Sequence, residues 1–164
     1  MPDQGLHRII DRLADSLTRD ILVQTTVNHL RNTLHVDRVV LYYFYEQWKG
    51  RVTFESVSSS ELSIFGATGP DECFNGEYAA LYLAGRVRAI ADIETEPIQD
   101  CHRDFLGNMQ VRANLAVPVL SRTRLWGLLI AHHCQATHSW STSDIEAMQK
   151  AAQALATAPS IQDS

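Results

Sequence analysis

The sequence has little that would indicate a secreted, membrane-embedded or nucleic-acid-binding protein. Its 164 residues include only three cysteines, and a small odd number does not form the disulfide framework of a secreted domain. No apolar run reaches the roughly 18 residues of a membrane span, and no charged-then-apolar signal segment opens the chain. Acidic residues outnumber basic ones, 19 to 14, so no basic face for nucleic acid or anionic membrane is predicted. We expect a cytoplasmic protein with free thiols.

The length and composition predict one folded domain. The hydrophobic content of 45% is ordinary for a globular protein, and 164 residues are enough for a single core. The sequence contains no internal repeat. We therefore expect a single domain over residues 1–164, with its core at about 5–158.

Hydrophobic spacing predicts helices near both ends of the chain. Apolar residues at helical intervals indicate a helix over about 5–18, and Asp20 is placed to cap a second one. Ser143-Asp144-Ile145-Glu146 is typical of a capping box that opens a last helix. The tail from Pro159 onward is expected to be frayed.

The middle of the chain predicts strands and one long loop. Strands are expected over 38–45, 52–57, 86–92, 112–120 and 124–134. Alternation along the last strand places Trp126, Leu128, Ile130 and His132 on one face. Short helices are expected over 77–84 and from about Cys101, and residues 58–76 form a loop of a length that is usually functional. These elements predict an α+β fold, with an antiparallel sheet, helices on one face and a ligand pocket under loops and short helices on the other.

Two cysteines lie in settings that favour reactivity. Cys101 precedes His102 and begins a predicted helix, where the macrodipole favours a thiolate. Cys73 adjoins a carboxylate within the long loop. Cys134 ends an apolar strand and is predicted to be a small buried residue. Since a thiolate is a nucleophile, Cys101 and Cys73 are candidate attachment points on one ligand.

Several separated motifs have a specific order and spacing. They are Asp71-Glu72-Cys73-Phe74, Tyr82-Leu83-Ala84-Gly85-Arg86, Cys101-His102, Val111-Arg112-Ala113-Asn114-Leu115-Ala116-Val117-Pro118 and Leu125-Trp126-Gly127-Leu128-Leu129-Ile130-Ala131-His132. Together they resemble the bilin-binding GAF domains of cyanobacteriochromes, photoreceptors related to the phytochromes. The resemblance covers roughly residues 5–158, and an Asp-Xaa-Cys-Phe motif marks the dual-cysteine subgroup. Gly69 stands where red/green members carry tryptophan, which argues against that subgroup.

The resemblance implies a linear tetrapyrrole in the pocket, phycocyanobilin and/or phycoviolobilin. The implied cofactor-binding residues are Cys101, Cys73, Asp71, His102, His132, Tyr82, Phe74, Arg86, Arg112 and Asn114. Cys101 would form the stable thioether and His102 would pack against the pyrrole rings. Asp71 would accept hydrogen bonds from ring N–H groups, and His132 would lie near the D ring. The propionates would bind Tyr82 and the two arginines.

The function implied by the resemblance is light sensing. The domain would convert reversibly between a blue-absorbing 15Z state and a green- or teal-absorbing 15E state, with Cys73 adding reversibly to the C10 bridge. It would catalyse only its own bilin attachment. Its signal would pass to an output domain in the same chain or to a partner protein, and the terminal helices offer a possible homodimer contact.

Other interpretations of these residues remain open. Asp71 could be a turn residue, His132 a hydrogen-bonded core residue and Cys73 a simple loop residue. The cysteines and histidines lack the short fixed spacing of structural zinc ligands, which disfavours a metal site. A cysteine hydrolase at Cys101 lacks a residue to orient its base. The main alternative is a non-chromophoric GAF module for a small ligand or for dimerisation.

Overall fold

The computed structural model describes residues 4–46, 49–68, 76–122 and 124–164. The helices of these ranges are α1 (Gln4–Arg19), α2 (Ile21–Leu34), α3 (Gly76–Leu83), α4 (Asp100–Asn108), α5 (Thr142–Leu155) and α6 (Pro159–Gln162). The strands are β1 (Arg38–Glu46), β2 (Lys49–Val57), β3 (Arg88–Ile90), β4 (Ala113–Leu120) and β5 (Leu125–His133). Within these ranges, none of the helices combines the length and apolar character needed to cross a bilayer.

The five strands form one antiparallel sheet in the order β2-β1-β5-β4-β3. One face of the sheet packs against the terminal helices, where inward residues of β1, β4 and β5 meet α1, α2 and α5 in the main core. Leu41, Leu115 and Leu129 supply the strand side of this core, and Leu17 and Met148 supply part of the helix side. The predicted α+β architecture, with helices on one face of an antiparallel sheet, is confirmed.

The helix termini agree with the sequence at one end of the chain and differ at the other. Asp20 caps α2 by accepting from the backbone N–H groups of Leu22 and Val23, as predicted. The capping box of α5 joins Ser141 to Asp144, two residues before the predicted start. The prediction of a frayed tail is wrong, because Ile161 of α6 is fully buried and the Ser160 hydroxyl donates to Asp20 Oδ2 at 2.7 Å.

Two strand predictions need correction. β3 has three residues instead of the predicted 86–92, since only this segment pairs with β4. Trp126 does not share the face of His132. The β4–β5 register shifts beside Leu120, and this irregularity adds one residue to the alternation of β5. Trp126 therefore packs in the helix-side core, where its indole N–H donates to the hydroxyl of Ser164.

Candidate ligand-binding cavity

The sheet face away from the terminal helices forms the floor of a cavity of about 360 Å³. Alternate residues of the central strands line this floor: Val40, Ala116, Leu128 and Ile130. Ile98, Phe105 and Leu106 contribute to the opposite wall. A mostly apolar cavity of this size is typical of small-molecule sites, so the predicted pocket exists on the predicted face of the sheet.

Helix α4 carries both Cys101 and His102, and each of them lines a different space. His102 lines the cavity, whereas Cys101 is exposed and lines an adjoining cleft of about 570 Å³. Phe105 and Met109 border both spaces. The two predicted site residues of this helix are therefore close to the same ligand volume.

The cysteines differ from the expectation of three free thiols. Cys101 is disulfide-bonded in this structure, so that expectation is wrong for Cys101. Cys134 is free and half-buried, and burial raises the pKa of its thiol. Cys134 was predicted to be buried and is only half-buried, and its raised pKa disfavours the reactive thiolate.

His102 is a neutral histidine beside two cations. Burial lowers the pKa of its imidazole to about 4, with further lowering by the nearby Arg88 and Arg86 guanidinium groups. At neutral pH it therefore presents one N–H donor and one nitrogen acceptor to the cavity. This state suits contact with the polar edge of an organic ligand better than binding of an anion.

A cationic wall lies beside His102. Arg86 and Arg88 both line the cavity, together with the buried Tyr82. The Arg86 guanidinium carbon lies 5.8 Å from the centre of the Tyr82 ring, and Arg88 Nη1 lies 3.8 Å from Glu96 Oε1. Arg88 was missed at the level of sequence, although its position two residues after Arg86 in an extended segment could have indicated a shared face.

Two buried polar residues on the neighbouring strands β4 and β5, Asn114 and His132, belong to the cavity lining. His132 and Asn114 both line it and are almost wholly buried, and Asn114 Oδ1 lies 3.0 Å from His132 Nε2. On the other side of the ring, Arg38 Nε donates to His132 Nδ1 at 3.1 Å. Burial, followed by the charge of Arg38, holds the pKa of His132 well below its usual value.

Arg38 is the second residue that sequence reasoning missed. It begins β1 and its side chain is fully buried. The only signal in the sequence is its parity with Val40 and Tyr42, which places all three on the cavity face. Nothing in the sequence indicates its partner, because His132 follows 94 residues later.

Arg112, the other predicted propionate partner, has different surroundings from Arg86, and its predicted role stays a prediction. Arg112 is absent from the residues that line the cavity. Its guanidinium instead binds Asp92, at 2.8 and 3.2 Å, and lies 3.3 Å from Glu94. The hydrogen bond to Asp92 raises the pKa of Arg112, so this arginine already has a carboxylate partner.

The remaining predicted residues divide into two groups. Asp71, Cys73 and Phe74 lie outside the described residues, so their predicted roles stay predictions. Tyr82, Arg86, His102, Asn114 and His132 are brought together around one cavity. Among the described residues, no group of three potential ligands could hold a metal ion.

Comparison with known proteins agrees with this geometry. Residues 18–158 match the family model of the GAF domain. An uncharacterized protein of Picosynechococcus sp. is 48% identical over 156 residues, which cover 95% of this chain and 96% of that protein. The circadian input-output histidine kinase CikA of Synechocystis sp. is 31% identical over 85% of this chain, but the match spans only 22% of the kinase.

Solved structures give the same picture. The crystal structure of the cyanobacteriochrome receptor PixJ has a TM-score of 0.78 and 31% identity, and the match covers 88% of this chain and 95% of that one. The phycocyanobilin-bound GAF domain of a cyanobacterial phytochrome has a TM-score of 0.76 and 26% identity over 98% of this chain and 96% of that one. The chain therefore belongs to the GAF domain family, and its structural neighbours are GAF domains of cyanobacteriochromes and phytochromes.

Proposed function

We propose that this chain is a photoreceptor domain that binds a linear tetrapyrrole covalently and signals by reversible photoconversion. One observation carries the proposal: a largely apolar cavity lies between the helix of Cys101 and His102 and the buried pair of Asn114 and His132. The similarity to a phycocyanobilin-bound GAF domain supports the same ligand class.

The donor set of the cavity fits such a pigment. A linear tetrapyrrole is a long, mostly apolar molecule with polar ring nitrogens, terminal carbonyl groups and two propionates. The apolar floor suits the rings, and Arg86 and Arg88 supply guanidinium groups suited to carboxylates. His102, neutral at pH 7, provides a hydrogen-bond donor and an acceptor, and His132 lines the same cavity. Phycocyanobilin, phycoviolobilin or both are the proposed pigments.

Cys101 is the proposed attachment residue. Its thiolate adds to the ethylidene of the A ring, a carbon–sulfur bond forms, and a proton reaches the neighbouring carbon. The reaction has no leaving group and needs no oxidant. Because Cys101 is disulfide-bonded in this structure, a thiol reductant must first release its sulfur. The position of Cys101 in the first turn of α4 then favours the thiolate. We propose no catalysis beyond this self-attachment.

We propose that the pigment makes the domain sensitive to light and that a second thiol, that of Cys73, determines which colours the two states absorb. When bound, the pigment supplies visible absorption and Z/E isomerisation at the bridge between its C and D rings. Cys73 would add to the central C10 bridge and give a blue-absorbing 15Z state, and release of this thiol would give a green- or teal-absorbing 15E state. The Asp71-Glu72-Cys73-Phe74 motif supports this step.

The signal is proposed to reach an output domain or a partner protein. In CikA the similar segment is about one fifth of a histidine kinase, which supports a sensory role for a domain of this kind. A change in position of His132 could be transmitted to the rest of the sheet, because β5 lies at its centre between β1 and β4. Two discrete pigment states would bias the surrounding fold between two arrangements.

The test is expression of the chain together with a phycocyanobilin-producing pathway. The purified protein is expected to be coloured, to change its absorption spectrum reversibly under blue and green light, and to give a band that fluoresces with zinc on a denaturing gel. Folded but colourless protein would contradict the proposal and favour a GAF module without a pigment.

A further inference from the structure

The buried guanidinium of Arg38 makes contacts that are unusual for an arginine. It donates to a histidine nitrogen, His132 Nδ1, at 3.1 Å. Its other two hydrogen bonds go to backbone carbonyl oxygens, to that of Leu62 at 2.6 Å and to that of Met109 at 2.7 Å. Within the part of the chain that the structure describes, no carboxylate hydrogen-bonds to this guanidinium.

These contacts determine where the proton of His132 resides. Arginine has only donors and stays protonated in proteins, so Nδ1 of His132 must act as an acceptor. A neutral imidazole then carries its proton on Nε2. That N–H faces Asn114, which must present its carbonyl oxygen, since its amide group would have no acceptor there. The observed 3.0 Å contact of Nε2 with Oδ1 matches this arrangement.

We propose that Arg38 is a positioning residue that holds His132 as the neutral tautomer protonated at Nε2. Arg38 touches no pigment atom in this scheme and acts through the histidine. The inference rests on the proposed function only in taking His132 as a pigment contact. Both ring nitrogens of His132 are then engaged within the protein, Nδ1 as the acceptor from Arg38 and Nε2–H as the donor to Asn114 Oδ1.

The electrostatic surroundings agree with this role. A cation beside the imidazole opposes its protonation, and the charge of Arg38 acts in the same direction as burial on the pKa of His132. The charged or titratable groups that act on Arg38 are Asp37, Glu55 and Cys134. Of these, Asp37 Oδ2 already accepts from the backbone N–H of Cys134 at 2.8 Å.

The same guanidinium links His132 to the helix of the attachment cysteine. Met109 follows the last residue of α4, and Leu62 closes the short 3-10 helix after β2. Arg38 thus holds His132 and two surrounding segments in one set of hydrogen bonds. A shift of the imidazole would therefore be opposed by the position of α4.

The test uses pigment-free, nitrogen-15-labelled protein, so its result is independent of whether the chain binds bilin. Long-range proton–nitrogen correlation spectra are expected to show His132 protonated at Nε2 alone from about pH 5 to about pH 8. A coupling across the hydrogen bond between Arg38 Nε and His132 Nδ1 is also expected. A wild-type His132 protonated at Nδ1, a charged ring at neutral pH, or the absence of this coupling would overturn the proposal.

Substitution gives a second test with a matched control. In Arg38→Met, a tenfold or larger rise in the Nδ1-protonated tautomer is expected. Arg38→Lys keeps the charge but not the guanidinium geometry, so the ring should stay neutral while the tautomers mix. Arg31→Met is the control, because Arg31 donates to Ser56 and not to His132. An unchanged His132 spectrum in a folded Arg38 variant would contradict the proposal, and if neither variant folds the wild-type spectrum decides.

Discussion

Asn114 on β4 and His132 on β5 face each other in the sheet register, and their side chains hydrogen-bond at 3.0 Å. Both are buried in an otherwise apolar floor. A buried polar group without a partner costs about 1–3 kcal/mol, so each residue requires the other. Asn114→Leu leaves the Nε2–H of His132 without this acceptor and is expected to lower the free energy of unfolding of the pigment-free protein by about that amount. Urea unfolding measures it.

The control for this variant is Asn108→Leu, since Asn108 is exposed at the end of α4 and the side-chain partners of His132 are Arg38 and Asn114. It is expected to change stability by less than about 0.5 kcal/mol. Equal unfolding midpoints for wild type and Asn114→Leu would contradict the assigned hydrogen bond.

The pH dependence of stability should follow His102. Its pKa is lowered from 6.5 to about 4 in the folded protein, so at intermediate pH the unfolded chain binds the proton more readily. The free energy of unfolding is therefore not reduced by His102 above about pH 6.5, and it falls as the pH decreases toward 4. The loss from this group is at most about 3 kcal/mol. The wild-type free energy of unfolding is measured across this range and compared with that of His102→Gln.

The His102→Gln variant should flatten the acidic side of the profile, although the depressed pKa of His132 leaves some dependence on pH. His29→Gln is the matched control, because His29 is exposed on α2. Its profile should follow the wild type. A profile for His102→Gln as steep as the wild-type profile would show that His102 titrates normally in the folded chain.

Two glycines give opposite expectations for alanine. A side chain at Gly127 would overlap the backbone carbonyl of Tyr42 on the neighbouring strand, whereas nothing surrounds the corresponding position at Gly107 within 4 Å. Gly127→Ala should destabilise the protein by at least about 2 kcal/mol. Gly107→Ala, in α4, should be neutral or stabilising by up to about 1 kcal/mol. Thermal unfolding compares them, and similar melting temperatures would contradict the close strand approach.

Local patterns in the sequence predict most of the fold but only part of the cavity. The Asp20 cap and the amphipathic helices depend on residues that are close together in the sequence, so they can be predicted from it. The strand irregularity that turns Trp126 toward the helices depends on pairing between β4 and β5. The docking of α6 likewise depends on Ser160 meeting Asp20, 140 residues away. Such contacts have no local signature.

The site residues also divide into those that a sequence motif could indicate and those that depend on contacts between distant residues. His102 and Tyr82 could be assigned because family motifs contain them, and both line the cavity. Arg112 also lies in a motif, but its guanidinium pairs with Asp92 and it is not among the residues that line the cavity. Arg38 could not be assigned, because a charged residue at the start of an apolar strand usually marks an exposed end. Its role depends on a histidine that is distant in sequence.

Covalent attachment should require Cys101 in its reduced form. Cys101→Ala is expected to lose zinc-fluorescent pigment from the denatured band, since no other residue replaces the stable thioether. Because Cys101 is disulfide-bonded in this structure, oxidised wild-type protein mixed with phycocyanobilin should attach at least tenfold less pigment than protein treated with a thiol reductant. Cys134→Ala is the control and should attach pigment normally, as Cys134 is free and half-buried. Covalent pigment at the wild-type yield in Cys101→Ala would refute the assignment.

The colour of the two states should depend on Cys73. Addition of this thiol to the C10 bridge makes that carbon tetrahedral and divides the conjugated system, so the doubly linked pigment absorbs at short wavelength. Cys73→Ala is therefore expected to lose the blue-absorbing state and to keep pigment covalently bound through Cys101. Cys73→Ser, which has nearly the same size but a much weaker nucleophile, should behave like Cys73→Ala. The measurement is the absorption spectrum before and after illumination, with the denatured band as the check on attachment. A blue band that persists in both variants would contradict the proposed addition of Cys73 to the C10 bridge.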